Sequence, residues 1–315
     1  MSDKMIVIGA GMAGLACAGA LQAAGLPVLV LDKGRGIGGR MATRRVEIAG
    51  HAARFDHGAQ YITARTPEFS RFLETLPEAV GIWNDGGAYP HFVGLPGMSG
   101  LPRAMAAGLE LRQGVEVTAL DPVPGGWRVI ADAKTFEAAR LVLTIPAPQA
   151  QRLLAGHPLA EPLAKVALAP CLTLMAALPP DAPRPFIARR KPDQPLAWIA
   201  QDSTKPGRAG AVTSWVAQAG PDWSAQHLEL ERDQIAARML PLLCAEIGAD
   251  PGAALHVAAH RWRYAQVTAP LGRPFLRSTD KRLHLGGDWC LGARVEAAWQ
   301  SGHAIAQDML AHEPA

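Results

Sequence analysis

The sequence predicts an α/β fold, a parallel sheet flanked by helices and joined to a second unit with the texture of a mixed α+β sheet. Three observations lead there. Met5-Ile6-Val7-Ile8 is an apolar, largely β-branched run bounded by glycine, the pattern of a strand buried on both faces. Gly9-Ala10-Gly11-Met12-Ala13-Gly14 follows and opens a small-residue helical stretch from about Met12 to Ala24. A second apolar run, Val28-Leu29-Val30-Leu31, then ends on Asp32, 18 residues after Gly14.

Strand, glycine turn, helix and second strand in this order make a Rossmann-type dinucleotide-binding unit. Gly9 permits the tight turn, Gly11 lets backbone approach a pyrophosphate, and Gly14 lets the helix lie close on the strand. The backbone N–H groups of Met12 and Ala13 at the helix start would face phosphate oxygens. Asp32 would accept hydrogen bonds from ribose hydroxyls and repel a 2′-phosphate. A GxGxxG by itself also describes an ordinary glycine-rich turn. The buried strand before it and the acid after it decide for the dinucleotide.

Composition narrows the function classes. With 315 residues, 49% hydrophobic and 19% charged, the chain has ample material for a core and is not of disordered type. A net charge of +3 is too small to argue for nucleic acid. Cys17, Cys171, Cys244 and Cys290 are scattered, with no CxxC and no metal-ligand spacing, which fits reduced thiols in a cytoplasmic protein and no metal site. The first strand follows Met1 almost at once, so no signal peptide is expected, and no run of about 18 apolar residues suggests a membrane span.

Beyond Asp32, Lys33-Gly34-Arg35-Gly36-Ile37-Gly38-Gly39-Arg40-Met41 is a second glycine cluster, which a plain nicotinamide-binding unit does not require. Arg35, Arg40, Arg44 and Arg45 could add charge-assisted contacts to phosphate, although such a segment also reads as a mobile surface loop. Next come the alternating Val46-Glu47-Ile48-Ala49 and the polar, glycine-containing Phe55-Asp56-His57-Gly58-Ala59-Gln60-Tyr61.

Here the GxGxxG with Asp32, the GGRMATRR of 38–45 and the FDHGAQYITAR of 55–65 resemble the renalase-type branch of the flavin-containing amine oxidase superfamily. HRWRYA at 260–265 and GDWC at 287–290 extend the resemblance, which spans nearly the whole chain and is strongest over 1–61 and 255–303. It implies a glutathione-reductase/p-hydroxybenzoate-hydroxylase-like fold that binds FAD without a covalent link. Lys33, Gly39, Arg40 and Met41 would then lie along the flavin-side pyrophosphate, and the backbone of Val117 would touch adenine. Asp56, His57, Gly58 and Ala59 would run beside the isoalloxazine ring, with Gln60 and Tyr61 bordering the substrate cavity. Gly287 and Asp288 would meet the ribityl or pyrophosphate edge. The helix start at Arg294-Val295-Glu296 would face the pyrimidine ring, where its positive end stabilises charge on a reduced flavin.

The remaining elements follow in order. Pro67–Leu76 reads as an amphipathic helix on Phe69, Phe72, Leu73 and Leu76. Gly81–Phe92 reads as a hairpin turning at Asn84-Asp85-Gly86-Gly87, with Trp83, Tyr89 and Phe92 as packing residues and His91 as a loop histidine. Ser99 looks like the cap of a short helix rather than part of a second nucleotide loop. Strands are expected at Val115–Leu120, Gly126–Ala131, Thr135–Ala138 and Leu141–Ile145, the last returning to the parallel sheet. Strands at Cys171–Ala177, Leu196–Gln201 and Ala211–Ala217 and a helix from Ser224 to Leu243 make up the middle of the chain. Arg184, Arg189, Arg190 and Lys191 form either a solvated loop or a seat for an anionic substrate. Trp262 and Tyr264 alternate, so they share one side of a strand and are candidates for the cavity wall. Arg282–Gly286 closes the sheet, and Ala293–Leu310 is a final helix with Val295, Ala298, Trp299, Gly302, Ile305, Ala306 and Met309 on one stripe.

This organisation predicts a discontinuous FAD-binding domain (1–57, 98–164 and 255–315) and a substrate domain (58–97 and 165–254). The resemblance implies oxidation of 2- or 6-dihydronicotinamide dinucleotides to NAD(P)+, with O2 reduced to H2O2. Three other functions stay open: an amine oxidase, which would use an aromatic pair and a lysine near flavin N5; a carotenoid- or porphyrinogen-type desaturase, disfavoured because no extended apolar membrane-docking segment is seen; and a non-enzymatic carrier of the same fold. No lysine can be assigned to the first of these, and only Tyr61, Tyr89 and Tyr264 supply tyrosine. No nucleic-acid or membrane partner is expected, and the oligomeric state, monomer or dimer, stays open.

Overall fold

A six-stranded sheet organises the molecule, and its middle strand is Met5–Ile8, every residue of which is buried. It pairs in parallel with Arg140–Leu143 on one side and Val28–Asp32 on the other. Leu283–Leu285 continues the parallel order beyond Arg140–Leu143, and Glu110–Gln113 does so beyond Val28–Asp32. Leu276–Arg277 closes one end antiparallel. The computed structural model describes residues 4–87, 89–132, 134–208 and 210–312; the expected lead-in at 1–3 and Ala88 of the expected hairpin lie outside the described residues.

Two helices meet on one face of this sheet. Met12–Ala23 and the last helix, Val295–Leu310, touch where Gly302 lies directly against the backbone of Ala13; a Cβ at 302 would strike the Ala13 carbonyl oxygen. Small residues at this crossing let the two ends of the chain pack backbone to backbone. Met5, Val7, Leu15, Leu21, Ile305 and Met309 fill the layer between helices and sheet. On the other face, a three-stranded meander of Val117–Val123, Gly126–Ala131 and Lys134–Ala138 covers Ile6, Ile8, Leu141 and Leu143 with Trp127 and Val129.

The second large sheet has five strands in the order Ala188–Arg190, Leu196–Gln201, Thr213–Ala219, Ala167–Leu178 and His256–Ala269, all antiparallel. Helix Arg232–Ile247 packs on one face through Ile235, Met239 and Leu243, against Leu172, Leu174, Ile199 and Ala217. Burying one such leucine or isoleucine side chain contributes roughly 1.5–3 kcal/mol. The other face looks toward the Rossmann-like unit.

Several elements differ from the sequence-based expectation. The helix expected from Ser224 to Leu243 is two helices, Pro221–Gln226 and Arg232–Ile247. Ser224 is no cap. It is buried inside the first helix, and its hydroxyl accepts from the Leu172 N–H. The true cap is Glu231, in a capping box with Gln234. Ser99 likewise precedes the short helix Gly100–Met105 without capping it by its side chain. Tyr89 is 80% exposed and so is no core residue, although Trp83 is buried as expected. The edge strand Glu110–Gln113 escaped notice because it is polar and largely exposed, and so carries no apolar run.

Candidate functional site

The strands and helices of both sheets converge on one elongated cavity of about 1680 Å³, larger than the roughly 300–1,000 Å³ that one small ligand needs. Of the residues singled out from the sequence, Gly9, Gly11, Met12, Ala13, Asp32, Lys33, Gly39, Arg40, Met41, His57, Gly58, Ala59, Gln60, Tyr61, Val117, Trp262, Tyr264, Gly287, Asp288, Arg294 and Val295 all line it. Gly14, Asp56 and Glu296 do not.

One limb of the cavity runs along the parallel sheet, and its walls fit a dinucleotide. Gly9 turns the chain at φ +112°, and a Cβ on Gly11 would meet no protein atom within 4 Å, so side-chain volume there would stand in the cavity. The helix that starts at Met12 has neither a side-chain cap nor an acidic residue in its first turn, which leaves its N–H groups to an anion. Asp32 accepts the Ala10 N–H on one oxygen and the Gly34 N–H on the other, each at 2.6 Å. Those bonds fix the carboxylate and leave each oxygen a lone pair for a ribose hydroxyl. Gly14 serves helix packing, as its sequence position suggests: a Cβ there would collide with the Gly9 carbonyl.

At the far end of this limb, Arg40 forms a bidentate pair with Asp288, both bonds 2.7 Å, and also donates to the Ala265 carbonyl at 3.0 Å. Arg40 thus ties the second glycine cluster to the last turn and to strand His256–Ala269. The last helix starts at Arg294 without a side-chain cap. Glu296 is a correction to the expected arrangement. Its carboxylate is turned from the cavity and accepts from the N–H groups of Arg65 and Thr66 and from the Thr66 hydroxyl, at 2.8–3.2 Å.

Asp56 is the second correction, and its surroundings contain the residues that sequence reasoning missed. It is fully buried in a quartet with Lys205, Asp202 and Arg208. Lys205 reaches Asp56 at 3.0 Å and Asp202 at 2.5 Å; Arg208 reaches them at 2.5 and 2.6 Å. Thr43 Oγ1 and the Met98 N–H donate to the remaining Asp56 oxygen, and the Asp56 N–H donates to Asp202. Burial alone would raise the Asp56 carboxyl, but Lys205 and Arg208 outweigh it and hold it below the usual carboxylate range. In sequence, Asp202 to Arg208 reads as a polar loop, and nothing in it signals burial.

The quartet anchors the segment that follows it. Trp262 Nε1 donates to the His57 carbonyl at 2.7 Å, and Gln218 Nε2 to the Gly58 carbonyl at 2.6 Å. Gln60 donates back to the Asp56 carbonyl, and the Ala59 N–H donates to the Arg40 carbonyl. Gly58 lies so close to that carbonyl that a Cβ would overlap it. The Asp56–Gln60 backbone is therefore held on every side. Nearby, Tyr61 stacks on His91 at 3.8 Å between ring centres, and His91 is held by Asp85 at 2.8 Å. His91 is thus a satisfied histidine, as expected, but one that starts the strand His91–Gly94 rather than sitting in the loop.

The other limb of the cavity lies under the five-stranded sheet and is walled by Cys171, Trp198, Gln218, His260 and Trp262. Burial pushes the His57 imidazole down to about 4 and the His260 imidazole down to about 3, the latter helped by the neighbouring His57. Both are neutral near pH 7. Burial likewise pushes the Cys171 thiol up to about 11 and the Cys290 thiol up to about 12, so neither is a nucleophile. In the basic cluster, Arg189 and Lys191 are taken by Glu246, Arg184 bonds the Pro180 carbonyl, and only Arg190 lines the cavity. No group of three or more His, Cys, Asp or Glu suited to a metal exists among the described residues, nor any helix long and apolar enough to cross a membrane.

Comparisons with known proteins agree with this architecture. Residues 7–76 match the NAD(P)-binding Rossmann-like domain, and residues 83–310 match the flavin containing amine oxidoreductase family. A protoporphyrinogen oxidase of Exiguobacterium sp., so named provisionally, superposes with a TM-score of 0.78 at 15% identity, covering 99% of this chain and 100% of that one. A putrescine oxidase bound to putrescine superposes at 0.73, with 15% identity and coverage of 99% and 100%. At such identity these likenesses show the fold. A 61-residue stretch is 44% identical to the lysine-specific histone demethylase 1 homolog 3 of Oryza sativa, taking in 19% of this chain and 8% of that protein. A Rossmann-like unit, an amine-oxidase-type second half and a cradle fit for a dinucleotide thus coincide in one molecule, and the chain belongs to the flavin containing amine oxidoreductase family, an FAD-dependent oxidoreductase.

Proposed function

We propose that this chain is a renalase-type oxidase, taking hydride from 2- or 6-dihydronicotinamide dinucleotides to give NAD(P)+, with the electrons passing to O2 to form H2O2. The observation that carries this reading is the charge of the cavity wall. Its acidic residues, Asp32, Glu116 and Asp288, all belong to the nucleotide limb, and Asp288 is neutralised by Arg40. The lining also carries Arg65, Arg103, Arg152, Arg190 and Arg294, together with Arg261 and Arg263, which share Glu229. Such a wall attracts a dinucleotide with its pyrophosphate and repels a protonated amine.

In this reading FAD lies non-covalently along the nucleotide limb and supplies the hydride acceptor and the route to oxygen. The protein's own part is orientation. Met12 and Ala13 present N–H groups to the pyrophosphate, and Asp32 holds the ribose. Gly58 and Ala59 admit the flavin ring, with the Arg294–Val295 helix start at its electron-rich edge. Trp262 and Tyr61 give flat surfaces for a nicotinamide ring. The discontinuous division into a FAD-binding domain (1–57, 98–164 and 255–315) and a substrate domain (58–97 and 165–254) is proposed with it.

Amine oxidation is the second reading, and membership of the amine oxidoreductase family favours it. Against it, the buried Lys205 is held by Asp56 and Asp202 and does not line the cavity, where Lys33 of the nucleotide limb is the lysine present. Stopped-flow mixing with each dihydronicotinamide isomer and with a panel of primary and secondary amines separates the two. Rapid bleaching of the oxidised flavin by an isomer is the expected result; bleaching by amines alone would overturn the proposal.

A further inference from the structure

Two imidazoles and an indole form one cluster in the cavity limb under the five-stranded sheet. His57 and His260 stand 4.7 Å apart between ring centres, edge to face. Trp262 is stacked on His57 at 5.5 Å and tilted against His260 at 4.2 Å. All three line the cavity, and His57 is only 5% exposed. The Nδ1 atoms of both histidines are enclosed and, among the described residues, have no hydrogen-bond partner, so each ring has a polar nitrogen left over in the wall of the cavity. The cluster is held rigidly: the Trp262 indole N–H is spent on the His57 carbonyl, and the Asp56 quartet fixes the residue before His57.

We propose that His57 and His260 form a recognition subsite for an uncharged substituent that both donates and accepts hydrogen bonds, a primary carboxamide, on a flat ring lying in the cavity beside Trp262. A neutral imidazole offers one donor and one acceptor nitrogen, and two of them side by side match the carbonyl oxygen and NH2 of an amide. Both rings are kept in that neutral form by burial first, then for His260 by His57, Arg232 and Arg44, and for His57 by Arg44. An ammonium group would find no counter-charge there, since none of the acidic residues of the wall lies in this limb. The inference rests on the reading of the substrate as a nicotinamide and names the pair that would orient its ring. It makes His57 and His260 positioning residues for hydride transfer.

Binding can be read without turnover. Nicotinamide and 3-methylpyridine, which lacks the amide, are titrated into the oxidised FAD-loaded protein, following the flavin absorbance and, independently, the heat of binding. The wild type should prefer nicotinamide about three- to tenfold, the range for a neutral hydrogen bond or two. His260→Leu and His57→Leu should each erase most of that preference, and His260→Asn, which keeps a donor and an acceptor, should restore part of it. Should His57→Leu fail to hold flavin, the two His260 variants carry the test alone. Equal affinities in the wild type, or a preference unchanged in His260→Leu, would overturn the subsite. Failure of every dihydronicotinamide isomer to bleach the flavin would instead overturn the proposed reaction, and the amide preference would stand apart from it.

Discussion

Gly11 and Gly14 lie three positions apart in the same turn, yet the structure gives them different tasks. A side chain at 11 enters open cavity, whereas one at 14 meets the Gly9 carbonyl. Gly11→Val should therefore leave the thermal unfolding of the FAD-free protein within about 0.5 kcal/mol while weakening FAD binding about tenfold or more. Gly14→Ala should destabilise the fold itself by about 1–3 kcal/mol, seen in denaturant titration of the same FAD-free form. Asp56 and Lys205 belong to the second kind. Removing one member of a buried ion cluster strands the other charges, so Asp56→Asn or Lys205→Met should cost about 3–5 kcal/mol in urea unfolding.

At the scale of elements, the last helix is fastened to the rest of the molecule at three levels. Gly302 crosses Ala13, Ser301 bonds the Gly287 N–H and the Pro274 carbonyl, and Glu296 caps the turn at Thr66 that starts helix Pro67–Glu74. Glu296→Gln keeps the shape and weakens three charge-assisted bonds, so a loss of about 1–3 kcal/mol in unfolding free energy is expected, with faster hydrogen exchange at Arg65 and Thr66. The helices and strands around these fasteners were largely legible in the sequence, because local periodicity and glycine placement report them directly. Glu296 was not. Its place in the first turn of a helix facing a cofactor suggested a ligand contact, and only the arrival of residues 65–66, some 230 positions earlier, gives its carboxylate another partner.

At the scale of the whole molecule, four histidines, two buried and two half-buried, set the response to mild acid. His57, His256, His260 and His284 are all held below the usual imidazole range, by burial in each case. The unfolded chain, with imidazoles near 6.5, takes up protons first as pH falls. The stability these groups contribute is thus complete above about 6.5 and drains away as pH falls toward about 4 for His57 and about 3 for His260. Asp56 adds a further loss at still lower pH, because its folded carboxyl is depressed. The melting temperature should fall between pH 7.5 and pH 5, and the fall should be shallower in the His57→Leu, His260→Leu double variant. The cationic cavity has a separate signature: KM for a dinucleotide substrate should rise with ionic strength while kcat changes little.

The sequence by itself determined the Rossmann-like turn, the acid that follows it and the order of most strands and helices. Each of these follows from neighbours along the chain: a β-branched run, a glycine where backbone must come close, a stripe at helical spacing. Tertiary structure alone decided that Asp56 serves a buried ion quartet and that the expected long helix breaks between Gln226 and Arg232. It alone brought His57 against His260 and Trp262. Those outcomes depend on which distant segment arrives opposite a side chain, and a polar residue's partner in the fold leaves no periodic trace in the chain that carries it.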